Sequence, residues 1–222
     1  GAKKLGMHIH TRYEVSNNAG QDICDIVNNE GFDFLLVGSG ISMSDSPDDI
    51  AATRYRTSFY NRYFKRFKAP ESWFYPGALL KDKTKMFIAR SNCDVGVFIN
   101  RNFVKATNTL VVISSEEDLF LLDYTRTLLK ATHGSVGIVA KMSTTTPGHD
   151  QILKELWDFV SSTPQTQLLP DKDLTPGLFN SYNFMLIGYN TWNDVSEHRK
   201  EALQKMPSTL ILNKNKRSSS DN

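Results

Sequence analysis

Phe32-Asp33-Phe34-Leu35-Leu36-Val37-Gly38-Ser39-Gly40 decides the fold class. The continuous apolar run from Phe34 to Val37 predicts a buried strand, and Gly38-Ser39-Gly40 is the turn signal that ends it. The pattern returns at Tyr182-Asn183-Phe184-Met185-Leu186-Ile187-Gly188: aromatic, polar, phenylalanine, three aliphatic or thioether residues, glycine. One strand design used twice predicts a repeated α/β unit. In an open α/β sheet the loop after such a strand lies at the carboxyl edge, where ligands bind, so Gly38, Ser39, Gly40 and Gly188 are candidate nucleotide contacts.

Upstream of this stretch, Met7 to Val15 alternates apolar and polar residues and predicts a strand. Asn18 to Glu30 carries Ile23, Ile26 and Val27 at helical spacing, with Gly31 where a helix terminates. Downstream, Ser46-Pro47-Asp48-Asp49 is a helix start, with a capping serine, proline at the first position and acids facing the macrodipole. The helix it opens, Ile50 to Lys68, is distinctive. Tyr55, Phe59, Tyr63 and Phe67 form one stripe, while Arg54, Arg56, Arg62, Lys65, Arg66 and Lys68 share the remaining surface. A loop around Trp73 to Gly77 then leads to a buried strand over Asp94 to Ile99. Residues 1–104 therefore read βαβαβ, a first unit without its opening pair of strands and with an aromatic-basic insertion over 46–80.

Residues 105–213 read as a second unit, βαβαββαβ. Its strands are Asn108 to Ile113, Val136 to Ala140, a short Gln167 to Leu169, the echo strand, and Thr209 to Leu212. Its helices carry Leu119 to Leu129, Ile152 to Val160 and Glu197 to Lys205. Residues 214–222 read as a disordered polar tail. The predicted architecture is α/β, two repeated Rossmann-like units with mostly parallel sheets flanked by helices.

A chain of 222 residues can bury roughly 70–75% of its unfolded surface, so size does not limit its core. With 23% charged residues and a net charge of +2, it reads as an ordinary globular protein and not as a nucleic-acid binder. Cys24 and Cys93 have no metal-ligand spacing and read as buried free thiols. No apolar run approaches the ~20 residues of a membrane span, so this piece reads as soluble. The opening Gly1-Ala2, without methionine, looks like the remnant of a removed tag on a fragment of something longer.

The chemistry is sparse. Gly38-Ser39-Gly40 is either a phosphate cradle or a tight strand exit, and Ser114-Ser115-Glu116-Glu117 either receives a ribose or phosphate or simply caps a helix. His8 and His10 share one side of a predicted strand, but no carboxylate or cysteine of suitable spacing joins them, so no metal site is predicted. No G-x-S-x-G elbow is present, and no catalytic constellation emerges. The insertion helix either docks its aromatic stripe on the sheet, or turns its bases to anionic lipid, each worth about 1 kcal/mol near a charged membrane, or offers its aromatics to a partner.

Three stretches together resemble a known pattern: Cys24 to Gly40, Ser91-Asn92-Cys93-Asp94-Val95-Gly96-Val97-Phe98-Ile99-Asn100, and Val111-Val112-Ile113 followed by Leu119 to Leu129. They look like the cytosolic C-terminal tail of monovalent cation:proton antiporters, specifically the yeast-type potassium/proton exchanger, whose tail is built from universal-stress-protein-like units. Asp33 to Ser39 matches that fold's step of acid, aliphatic run, Gly-Ser. Asn92-Cys93-Asp94-Val95 matches its Cys-Pro-Val step, with Asp94 in place of proline.

The resemblance implies a regulatory domain on the cytosolic face of an endomembrane such as the Golgi, or of the plasma membrane. Its implied partners are the membrane domain of the same antiporter and a second copy of itself. If last strands pair as they do in stress-protein dimers, Val95 to Ile99 and Thr209 to Leu212 form the seam. Nucleotide-binding relatives would add ATP or AMP as a ligand, held by glycines whose backbone N–H groups surround the phosphates. Here Gly40 is followed by no glycine until Gly77, and Gly188 by none at all, which argues against that binding mode at both loops.

Overall fold

The computed structural model describes residues 13, 19–38, 85–142, 148–170, 174–198 and 205–215. The expected strand over Met7 to Val15 (apart from an exposed Tyr13), His8 and His10, Ser39 and Gly40, and the whole aromatic-basic helix with its six cations lie outside these residues.

In chain order the elements are α1 (Ala19–Glu30), β1 (Phe34–Gly38), a helical segment over 85–90, β2 (Asp94–Ile99), β3 (Asn108–Ile113), a 3-10 turn (Glu116–Asp118), α2 (Leu121–Thr132), β4 (Ser135–Ala140), α3 (His149–Ser162), β5 (Thr166–Pro170), α4 (Pro176–Phe179), β6 (Phe184–Gly188), α5 (Tyr189–His198) and β7 (Ser208–Asn213). The strands form one seven-stranded sheet in the order β1-β2-β7-β6-β3-β4-β5. Every pairing is parallel except β2 with β7.

The last five strands take the order β5-β4-β3-β6-β7, the doubly wound arrangement in which strand order reverses between the first strand of the unit and the fourth. β1 and β2 repeat the fourth and fifth. Phe34 pairs with Asp94 as Phe184 pairs with Ser208, and Gly38 with Phe98 as Gly188 with Leu212. The antiparallel seam then places the equivalent residues Val97 and Ile211 opposite each other, so an approximate two-fold axis passes between them. The strands expected at the seam do pair, and they pair within one chain.

The sheet is covered on both faces. On one, Cys24 and Val27 of α1, Phe87, and Trp192 and Val195 of α5 pack on strand residues such as Val97 and Ile187. On the other, Leu121 and Leu129 of α2 and Ile152, Leu156 and Phe159 of α3 pack on residues such as Val111 and Ile138. Central strands are accordingly buried along their length: β3 from Thr109 to Ile113 and β6 throughout. Each such aliphatic side chain contributes about 1.5–3 kcal/mol.

β1 departs from the expectation of full burial: Leu36 is 58% exposed, although Leu35 is buried. Among the described residues β1 is an edge strand, and no helix of the first half packs on the face that α2 and α3 cover in the second. Three further findings concern helices. A helix starts at Tyr189, directly after β6, where none was expected; of the expected helix over Glu197 to Lys205, residues 199–204 lie outside the described residues and Lys205 is helical. Pro176–Phe179 is a short helix started by Thr175, whose hydroxyl accepts from Leu178 N–H at 3.2 Å, where only a loop was expected. A helical segment also occupies 85–90. Within the stretch expected as a polar tail, Asn215 is tied down by its backbone N–H, which donates to Asp94 Oδ1 at 2.7 Å. Cys24 and Cys93 are both buried and free, as expected.

Candidate functional site

The doubly wound order puts any ligand crevice at the carboxyl edge between β3 and β6, whose following helices leave toward opposite faces. Three of the sequence candidates meet there: Ser114 and Ser115 directly after β3, and Gly188 at the end of β6. The crevice is already filled, by Asp118.

Asp118 is 2% exposed. The chain turns sharply after Ser115, with Asp118 N–H donating to Ser115 O at 3.1 Å, and this 3-10 turn folds the carboxylate back over the end of β3. Its Oδ2 accepts from Ser114 N–H at 2.9 Å, Ser114 Oγ at 3.2 Å, Ser115 N–H at 3.2 Å and Thr191 Oγ1 at 2.6 Å. Ser114 and Thr191 hydroxyls are also in direct contact with each other. These are the donors a bound phosphate or ribose would use. Oδ1 lies against Gly188, where even a methyl side chain would collide with it. Gly188 is therefore a glycine because Asp118 approaches its backbone, and its φ is not in the left-handed region.

The neighbouring acids extend the arrangement. Glu117 Oε2 accepts from Asn190 Nδ2 at 2.7 Å, in the first turn of α5. Glu116 Oε2 lies 3.9 Å from the point where a side chain at Gly148, the residue before α3, would begin. Consecutive carboxylates of one loop thus face the amino ends of two helices, where the macrodipole favours negative charge. An incoming phosphate would meet these carboxylates instead of open N–H groups. The site is only half legible in the sequence: the serines read as a loop that caps or binds, while little there singles out Asp118, the group that decides between those uses. The one signal is an acid three residues after Ser115, the spacing at which a side chain reaches back to a preceding N–H.

Gly38 occupies the equivalent place in the first half, but among the described residues no strand flanks β1 on its outer side, and nothing lies within 4 Å of a side chain built there. The structure does not bring Gly38 together with the other candidates.

A second polar cluster joins the two halves. Asp94, which stands where the stress-protein pattern has proline, accepts on Oδ2 from the Tyr124 hydroxyl at 3.0 Å and on Oδ1 from Asn215 N–H. Asn215 Nδ2 in turn donates to Ser91 O at 3.2 Å. Tyr124 packs between Phe34 and Phe120, each ring centroid 6.0 Å away. Burial, then the bond to Asp94, pushes the Tyr124 phenol above its ordinary range. Burial also pushes the Cys93 thiol up, with the adjacent Asp94 adding to it, so neither group is poised as a nucleophile.

No family model and no curated protein sequence matches the chain. Among solved structures it is similar to a universal stress protein from Archaeoglobus fulgidus DSM 4304, with a TM-score of 0.51 and 11% identity over 89% of this chain. The match spans 66% of that protein's chain. The likeness is one of fold: an α/β unit of universal-stress-protein type.

Proposed function

We propose that this chain is a regulatory domain that acts through contacts with other protein surfaces, and not by catalysis or by holding a nucleotide at its switch point. The observation that carries this reading is Asp118, which takes the donors of Ser114, Ser115 and Thr191 for the protein itself. A crevice satisfied from within stabilises the fold and leaves little for a ligand to gain. The sequence resemblance supplies the setting: the cytosolic tail of a yeast-type potassium/proton antiporter, with ion exchange in a separate membrane domain. No helix among the described residues is long and apolar enough to cross a membrane. The tail would bias the transporter between states through contacts that differ between them.

The test is transport. Exchange by a tail-deleted antiporter of this type is compared with and without the 222-residue chain supplied in trans. A change in rate or in pH dependence is expected, and unchanged transport under both conditions counts against the reading.

The alternative, an adenine-nucleotide sensor binding ATP or AMP, is favoured by one observation: Ser114, Ser115 and Gly188 do converge at the switch point of a stress-protein fold. It requires Asp118 to leave its place when the nucleotide arrives.

A further inference from the structure

A groove of about 600 Å³ opens at the opposite edge of the sheet from Asp118, between the last turns of α2 and α3. Arg126, Lys130 and His133 line one wall, and Ser162, Thr163 and Gln165 the other. Among the described residues no carboxylate lines it, although Arg126 also lines the adjoining concavity, with Asp123, Glu155 and Asp158. The sequence explains the clustering: Arg126 and Lys130 are four residues apart on α2, so they share a face, and His133 follows where the helix ends in a left-handed residue with φ of 51°.

Cations near a helix C-terminus also complement its dipole, and that accounts for Lys130. It does not account for Arg126, which stands before the last turn, where the effect has faded. Arg126 is instead positioned by its surroundings. Its guanidinium carbon lies 5.0 Å from the ring centre of Phe159, a buried residue of α3, and Nη1 is 3.1 Å from Asp123 Oδ1. A guanidinium held over a ring and steered by one carboxylate retains further N–H donors in a fixed plane. The Thr163 hydroxyl and the Gln165 amide supply neutral donors on the facing wall.

We infer that this groove binds a phosphate-bearing anion, a phosphomonoester or diphosphate group carried by a soluble molecule or by a lipid headgroup. The volume lies in the range of small-ligand sites, and a planar guanidinium beside an ammonium matches the geometry and charge of phosphate oxygens. The inference does not depend on the regulatory reading, since it concerns the amino edge of the sheet and not the switch point.

Calorimetric titration of the full chain with inorganic pyrophosphate, together with co-sedimentation on phosphatidylcholine vesicles with and without a phosphatidylinositol phosphate, tests it. Saturable binding in at least one arm is expected, with a dissociation constant below about 1 mM for pyrophosphate and weakening as salt is raised. Combining Arg126→Gln with Lys130→Gln should weaken that binding by about tenfold or more. Gln165→Glu, which places a carboxylate on the facing wall, should do the same without removing a cation. Pyrophosphate binding without vesicle retention assigns a soluble ligand, and retention dependent on the phosphoinositide assigns a headgroup. Absence of binding in both arms, or binding that all these variants leave unchanged, overturns the inference.

Discussion

Gly188 and Asp118 face each other across the gap between β6 and the turn after β3, so closely that any side chain at 188 would collide with the carboxylate. Gly188→Ala should therefore destabilise the protein by about 1–3 kcal/mol through overpacking. The loss would appear in urea as a lower unfolding midpoint at unchanged slope. In an Asp118→Ala background the added cost should largely disappear. A full penalty in both backgrounds would mean that Gly188 is required for a reason other than Asp118.

The donors gathered on Asp118 Oδ2 predict an order of stabilities. Asp118→Ala leaves buried N–H and O–H groups unpaired and should cost at least about 2 kcal/mol. Asp118→Asn keeps an acceptor oxygen and should cost less, while Thr191→Val, which removes one donor, should cost about 1 kcal/mol. Equal losses for Asn and Ala at 118 would show that the carboxyl group is not working as an acceptor.

At the other cluster, the Tyr124 phenol is held neutral by burial and by its bond to Asp94. A raised folded pKa means that this contribution is present in full below the unfolded value of about 10 and is lost as pH rises above it. Stability should therefore fall faster above about pH 10 in the wild type than in Tyr124→Phe. Absorbance of the phenolate should show a late titration step that is missing from the variant.

Lys141 Nζ lies 3.1 Å from Asp194 Oδ2, joining the end of β4 to α5, and the lysine's bond is the main cause holding the Asp194 carboxyl below its ordinary range. A depressed folded pKa contributes above the unfolded value of about 3.9 and is lost as pH falls through the folded one. Asp194 is exposed and Lys141 partly so, and water screens the pair, so Lys141→Met should lower stability at neutral pH by less than about 1 kcal/mol. The difference between the two proteins should close in acid.

Much of this fold was legible because its strands are written as dense apolar runs. Phe34 to Val37 and Phe184 to Ile187 announced the repeat, and their matching registers against β2 and β7 bear it out. The helix from Tyr189 was not legible. Its first turns are rich in asparagine and aspartate, poor helix formers, and Trp192 and Val195 are its fully buried apolar residues, with Tyr189 packed beside them. Its first turn is held by tertiary contacts, the carboxylates of Glu117 and Asp118 accepting from the Asn190 amide and the Thr191 hydroxyl. The same holds for the site. Ser114 and Ser115 could be singled out as a loop at a sheet edge, but which acid folds back onto them depends on a turn whose geometry is set by packing against β6. The exposure of Leu36 was missed for a related reason: an apolar run does not reveal whether its strand lies at the centre of a sheet or at its edge.

The central claim is that the switch point is occupied by the chain's own carboxylate. Amide NMR of Ser114, Ser115, Gly188 and Thr191 during titration with ATP and AMP tests it most directly, because these residues report on the crevice alone, whatever binds in the groove between α2 and α3. The account predicts that their signals remain unmoved at millimolar nucleotide. Saturable shifts at these residues would contradict it.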